Sequence, residues 1–196
     1  MKVLVACEFS GVVRRAFQAQ GHDAWSCDLL PSEDCDVRHI VNDVRTLLDK
    51  DWDLIIAHPP CTRLCNSGVR WLSEPPPGRS REDVAQELDE AAELFSVLWN
   101  APAPRICIEN PVMHKHAKAR IRRYRPFSQS VQPWQFGHGE IKRTCLWLKN
   151  LPQLEPTEIV EGREARVHRV SPHRFRWMER SRFYPGIAEA MARQWQ

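Results

Sequence analysis

No apolar run in this 196-residue chain approaches the ~20 residues that cross a bilayer. A membrane protein is therefore not expected. The opening MKVLVACEFSG is apolar only until Glu8, too short for the core of a secretory signal. Internal repeats and low-complexity tracts are also missing, which argues against solenoid and array architectures. The seven cysteines (Cys7, Cys27, Cys35, Cys61, Cys65, Cys107 and Cys145) are odd in number and lie mostly inside apolar runs. Free thiols in a reducing cytoplasm are expected, not a disulfide framework. Cys61, Cys65, His114 and His116 give C-x3-C and H-x-H, which is not a zinc-finger spacing, so no metal is expected. The other histidines, at 22, 39, 138, 168 and 173, share no spacing and read as surface or turn residues.

What is present is globular. Hydrophobic residues make up 42% and charged residues 27%, and the length suits one domain, two at most. The net charge of +3 conceals an asymmetry. Residues 1–111 carry a net −7 and residues 112–196 a net +10. A basic half is the footprint of a polyanion binder, although a solvated Arg-rich surface would look the same.

Short apolar runs predict strands at 2–7, 24–27, 53–57, 105–109 and 144–148. Helical spacing predicts helices at 12–21 and 82–100, the second with Leu88, Ala91, Ala92, Phe95, Leu98 and Trp99 on one face. A basic helix is expected at 113–125 and a short terminal one at 186–195. The SEPPPGRSR stretch, 73–81, reads as a loop, and 152–182 has little periodicity. Alternating strands and helices predict a parallel α/β sheet, whose ligands sit at the carboxyl ends of the strands. The unusual residues gather at those ends: Glu8–Gly11, Asp28, His58–Cys61 and Glu109–Pro111.

Each group has a chemical and a bland reading. Ser10-Gly11 between strand and helix lets backbone approach a ligand. Asp28, 17 positions on, could bind ribose hydroxyls. There is one glycine, not G-x-G-x-x-G, so a phosphate-free nucleoside fits better than a dinucleotide; the bland reading is a plain strand–helix turn. In His58-Pro59-Pro60-Cys61 two prolines fix the backbone and present Cys61 rigidly, as a nucleophile requires. The alternative is an inert thiol in a loop. Asn66 and Ser67 follow as polar ligands. Glu109, at a strand end, is expected to be desolvated, with a raised pKa suited to acid catalysis or to holding a ring nitrogen. Alone, a structural carboxylate is the commoner outcome.

In order along the chain, strand–FSG–helix, PPC and EN resemble the C5-cytosine DNA methyltransferase superfamily, and its small phage- and prophage-encoded members in particular. The resemblance runs from Lys2 to about Trp195. It implies a Rossmann-like class I methyltransferase sheet, mostly parallel, with helices on both faces and a small Arg-rich C-terminal lobe. It also implies S-adenosylmethionine as donor and DNA as partner. Phe9, Ser10 and Gly11 match the cofactor loop, Asp28 with Leu29 the ribose-binding site, and Asp43 the acid that contacts the adenine amine. His58 and Pro59 are assigned to the cofactor side. Cys61 matches the nucleophile that attacks C6. Glu109 matches the acid that engages N3 and the exocyclic amine. Arg143 and Lys142, in FGHGEIKRTCLWL, are the nearest matches to arginines that steady base and Glu. Pro60, Asn66 and Asn110 complete the substrate side. The family flips its base out of the duplex. Amino-methyltransferases of this fold instead use a polar residue, two prolines and an aromatic, so Cys61 argues for C5 chemistry.

The family's Gln-x-Arg-x-Arg pattern is not intact here, and the chain departs from the family in three further ways. Val12 and Val13 stand where a second glycine is usual, ENP replaces ENV, and fewer than 40 residues separate Leu148 from the terminal helix, leaving little room for a recognition module. The expected organisation is a catalytic unit 1–150, a reduced basic nucleic-acid segment 151–185, and a terminal helix 186–196 that returns to the catalytic unit. Arg163, Arg166, Arg169, Arg174, Arg176, Arg180 and Arg182, with Arg120, Arg122, Arg123 and Arg125, predict salt-dependent binding with short or weak sequence preference. Phe175 and Trp177 could fill the gap a flipped base leaves, or pack the C-terminal lobe. RNA, a free cytosine nucleotide and a silent nucleic-acid-binding relative remain alternatives. So does a modified donor whose extra carboxylate would pair with Arg14, Arg15 or Arg70. The expected setting is the cytoplasm of a bacterial host cell, with a monomer as default.

Overall fold

The computed structural model describes residues 1–171 and 173–196; Pro172 and the side chain of His168 lie outside the described residues. Seven strands form one sheet in the order β3-β2-β1-β4-β5-β7-β6. They are β1 (Lys2–Ala6), β2 (Asp23–Asp28), β3 (His39–Val41), β4 (Leu54–Ala57), β5 (Arg105–Asn110), β6 (Gln129–Val131) and β7 (Thr144–Lys149). The first five are mutually parallel; β7 runs antiparallel to both β5 and β6. This is the Rossmann-like, mostly parallel α/β sheet expected from the sequence.

The central strands β1, β4 and β5 carry apolar runs because both faces are covered. Leu4, Ile55, Ile106 and Ile108 join one core cluster, with Leu88, Ala92, Phe95 and Leu98 of α2 (Arg81–Trp99). Their neighbours Val3, Val5, Leu54, Ile56 and Cys107 join the other, with Val13 and Phe17 of α1 (Val12–Ala19) and Ile187, Ala188 and Met191 of α6 (Pro185–Gln194). The two-residue period of a strand divides them. Helix α2 begins at a capping box between Ser80 and Asp83.

Five elements differ from expectation. The basic helix is shorter: α3 covers Lys115–Arg120. His114 caps its start, Ile121 is already extended, and Arg123 takes φ +55. Strands β3 and β6, three residues each, were not expected. Between 152 and 182 lie two short helices, α4 (Arg166–Arg169) and α5 (Arg176–Ser181). That stretch is fastened to the sheet domain by bridges from Glu158 to Phe136 and from Glu164 to Glu140, and by Leu154, Val167, Phe183 and Tyr184 in the second core.

Candidate active site

The carboxyl ends of β1, β2, β4 and β5 open on one side of the sheet. Because β7 is antiparallel, its start lies beside the end of β5: Asn110 pairs with Cys145 and Glu109 with Leu146. The residues just before β7 therefore reach the same edge.

At β1 the chain turns through Cys7, at φ +58, before Glu8. Glu8 is buried and accepts from the amides of Val13 at 2.6 Å and Arg14 at 3.2 Å. Those are orphan donors of the first helical turn. The sequence reading gave Glu8 no task, although a carboxylate four residues before a helix was visible. The anion-binding end of α1 is thus already occupied, which disfavours a phosphate there and suits a phosphate-free ligand. Glu8→Ala leaves two buried donors unpaired, at about 1–3 kcal/mol each. We expect it to lower the thermal unfolding midpoint by roughly 5–15 °C, and Glu8→Gln by less than half as much, read by calorimetry. An unchanged midpoint in Glu8→Ala would remove this role.

Gly11 caps α1 with φ +68. A side chain there would meet Asp34 Oδ2 at 2.7 Å and Arg15 Nη1 at 2.9 Å. Glycine is needed because the Arg14–Asp34–Arg15 cluster closes over it. Arg14 is fully buried and pairs with Asp34, as does Arg15. The two arginines hold the Asp34 carboxyl well below the usual carboxylate range. Arg70 lies over the Trp71 ring at 4.2 Å. Of the three arginines considered as partners for a modified donor, Arg15 is thus engaged with Asp34 and Arg70 with Trp71, while Arg14 pairs with Asp34 through Nη2 and keeps Nε and Nη1 without a hydrogen-bond partner.

Asp28, half-buried, closes β2 and accepts from the Leu30 amide at 3.0 Å; burial pushes its carboxyl upward. Leu29 beside it is 74% exposed. Asp43 caps the 3₁₀ turn Val44–Leu47 and keeps an exposed carboxylate, with Arg45 at 3.6 Å. Phe9 is nearly buried, its ring 5.8 Å from Trp177. Ser10 is buried against Glu8 at 3.4 Å. A free carboxylate beside an uncovered aliphatic surface, with no open phosphate cradle, fits the ribose and adenine of a nucleoside.

After β4, Pro59 is buried and Pro60 exposed. Asn110 donates from Nδ2 to the Pro59 carbonyl at 2.9 Å, leaving its buried Oδ1 without a protein partner. Asn110 therefore positions the Pro-Pro turn. Cys61 begins a tight turn, its carbonyl accepting from Leu64 at 3.0 Å and Cys65 at 2.9 Å. Its thiol is pushed up by hydrogen bonding to Cys65, by burial and by the Glu109 charge; Lys142 opposes them. Cys65 is drawn the other way, towards the thiolate, by Cys61, by Ser67 Oγ at 3.0 Å and by nearby amides. Asn66 is exposed, its backbone amide bonded to Val112.

Glu109 does not follow expectation. Burial alone would raise its pKa, but His58 Nδ1, 3.3 Å from its Oε2, and the Lys142 charge lower it. The two side chains are only 12% and 14% exposed. His58 therefore meets Glu109, although the sequence assigned it to the cofactor. Lys142 is near enough for its charge to act on both Cys61 and Glu109. Its Nζ donates to the carbonyls of Arg180 at 2.9 Å and Arg182 at 3.3 Å, anchoring the C-terminal segment. Arg143 is not brought to the site in this way: it is exposed, with its guanidinium over Phe127 at 5.8 Å.

The C-terminal segment forms a roof. Besides the contact of Trp177 with Phe9, Phe183 lies 4.9 Å from the His58 ring and Arg182 bonds Glu33 at 2.7 Å. Trp177 and Phe175 remain half exposed. The basic surface is less free than its composition implies. Arg120 and Arg122 pair with Asp89 and Glu93 of α2, Arg166 pairs with Glu140, and Arg163 covers Trp134. His114 accepts from the Ala117 amide and its other nitrogen meets the Arg63 carbonyl. Among the described residues no group of His, Cys, Asp and Glu is placed to hold a metal, and no helix is long and apolar enough to cross a membrane.

No protein-family model and no curated protein matches this chain. Among solved structures, it is similar to a candidate DNA modification methyltransferase encoded within a prophage (E. coli), at 16% identity and TM-score 0.46, covering 81% of this chain and 51% of that one. It is also similar to EhMeth, a methyltransferase of Entamoeba histolytica, at 14% identity and TM-score 0.44, covering 81% and 57%. The chain spans a little over half the length of these structures.

Proposed function

We propose that this chain is an S-adenosylmethionine-dependent methyltransferase that modifies C5 of cytosine in DNA through a covalent bond from Cys61 to C6. One observation carries the reading: a cysteine held by a rigid Pro-Pro turn shares an electrostatic environment with Glu109 and Lys142, at the strand ends that also present Asp28 and the Gly11 loop. Asp28 and Asp43 would hold the ribose and the adenine amine, and Leu29 would lie against the adenine. Bound there, S-adenosylmethionine supplies an electrophilic methyl group.

The remaining work falls to the chain's own groups. Cys65, already drawn towards the thiolate, accepts the Cys61 proton as Cys61 adds to C6. Glu109 meets N3 and the exocyclic amine, and Lys142 offsets the negative charge gathered around the thiols. Addition at C6 makes C5 nucleophilic; loss of the C5 proton and expulsion of Cys61 restore the ring. Arg174, Arg176 and Arg180, with the half-exposed Phe175 and Trp177, offer the phosphate and base-stacking surface beside the roof.

The test incubates the protein with S-adenosylmethionine and, separately, unmodified duplex DNA, RNA or cytosine nucleotides, then identifies the nucleosides by mass spectrometry. 5-Methyldeoxycytidine from DNA is expected. Product from RNA or nucleotides alone would reassign the substrate, N4-methylcytosine would reject C5 chemistry, and no product from any of them would overturn the reading.

A further inference from the structure

We propose that His58 and Glu109 hold one proton between them, and that His58 is the positioning residue that delivers it, through Glu109, to N3 of the cytosine under attack. This rests on the reading of Cys61 as a C6 nucleophile.

The protonation of Glu109 does not match what addition at C6 requires. When a thiolate adds to C6, the C5–C6 π electrons move through C4 towards N3, and N3 needs a proton. A carboxylic acid could supply it. Glu109, however, faces a histidine at 3.3 Å and feels the Lys142 charge, and both favour its carboxylate. A carboxylate can accept from the exocyclic amine but has no proton for N3. His58 is the adjacent group that can carry one.

The geometry suits that task. His58 lies at the end of β4, its backbone amide fixed to the Ala6 carbonyl at 2.9 Å. Its Nε2 is buried and has no protein partner, so the exchange falls to Nδ1, the nitrogen that meets Glu109. Phe183 covers the ring at 4.9 Å. Few water molecules can then compete as proton source. The titratable groups facing the pair, among the described residues, are Glu8 from the β1–α1 turn, Lys142 before β7 and the thiols of Cys61, Cys107 on β5 and Cys145 on β7. Glu8, held by the amides of α1, also lies near the imidazole, and burial pushes its own carboxyl up.

The balance is simple. As the Cys61–C6 bond forms, the Nδ1 proton passes to Glu109 and on from Glu109 to N3, leaving neutral imidazole and the Glu109 carboxylate. When Cys61 leaves, the N3 proton returns to the pair. Nothing is oxidised or reduced. His58 touches neither base nor donor; it acts through Glu109.

The test compares wild type, His58→Asn, Glu109→Gln and the double variant. Asparagine keeps an amide donor near the Nδ1 position but cannot carry the proton. Single-turnover methyl transfer to DNA is followed from pH 6 to 9, with cofactor affinity measured separately by calorimetry and folding by thermal unfolding. We expect His58→Asn to fold and to bind S-adenosylmethionine within about threefold of wild type, yet to transfer methyl about 100-fold more slowly, within the range of general acid catalysis. The break in the wild-type pH profile that belongs to the pair should vanish. The double variant should lose no more than Glu109→Gln, because the two groups act as a unit. If His58→Asn does not fold, His58→Gln, with the same amide one carbon further out, takes its place. An unchanged rate and profile would overturn the proposal, and so would a loss confined to cofactor affinity. A wild type that methylates no cytosine would remove the underlying reading instead, and this proposal with it.

Discussion

We expect Cys61→Ala to abolish the proposed transfer: the rate should fall by roughly 10⁴-fold or more, to background, while cofactor and DNA binding persist. The size follows from the chemistry. Without addition at C6, C5 of cytosine is a poor nucleophile, and no other group in the site replaces the lost bond. The thiol is partly accessible, and removing it opens no buried core, so folding should be spared. Cys65→Ser is the informative partner. Cys65 is buried, four residues on in the same turn, and in the proposed mechanism it is the proton acceptor, not the nucleophile. It should still form product, more slowly. Nucleoside mass spectrometry gives the rates, and denaturing electrophoresis with a mechanism-trapping 5-fluorocytosine duplex shows the adduct. Product from Cys61→Ala, or an adduct that needs Cys65 and not Cys61, would defeat the assignment.

The elements that position this cysteine were largely legible. Continuous apolar runs marked β1, β4 and β5 because strands covered on both faces admit few polar residues, and the Pro pair marked where β4 ends. Strands β3 and β6 escaped because they are three residues long and partly polar; their extended form comes from pairing with β2 and β7, which no local pattern records. The electrostatics of Glu109 were misjudged for the same reason. Burial is local, whereas the histidine that reverses its effect stands 51 residues away and meets it only through the β4–β5 pairing. Lys142 and Arg143 were a different case. Adjacent residues of an extended segment point to opposite sides, so only one of them could face Glu109, and that signal lay in the sequence unused.

Gly68→Ala, seven residues beyond the nucleophile, should cost roughly 100-fold in transfer rate without touching a reacting atom. Gly68 follows the turn that begins at Cys61, its amide donating to the Cys65 carbonyl at 2.9 Å. A methyl group there would press into the Thr62 carbonyl, with the carbonyl carbon at 3.2 Å and the oxygen nearer still. That neighbour is backbone and cannot rotate aside, so Thr62 must move, and Cys61 is bonded to it. A displacement of about 1 Å is enough for a loss of this size, because a nucleophile works only at near-attack distance. The effect should appear in the rate and not in cofactor affinity, since Asp28 and the Gly11 loop lie on other strands. Gly78→Ala is the control: its φ of +78 makes alanine strained by about 1–2 kcal/mol, but nothing lies within 4 Å, so the rate should hold. Equal rates for Gly68→Ala and wild type would mean that the Thr62 turn does not set the position of Cys61, and the preorganisation argument would then rest on the two prolines alone.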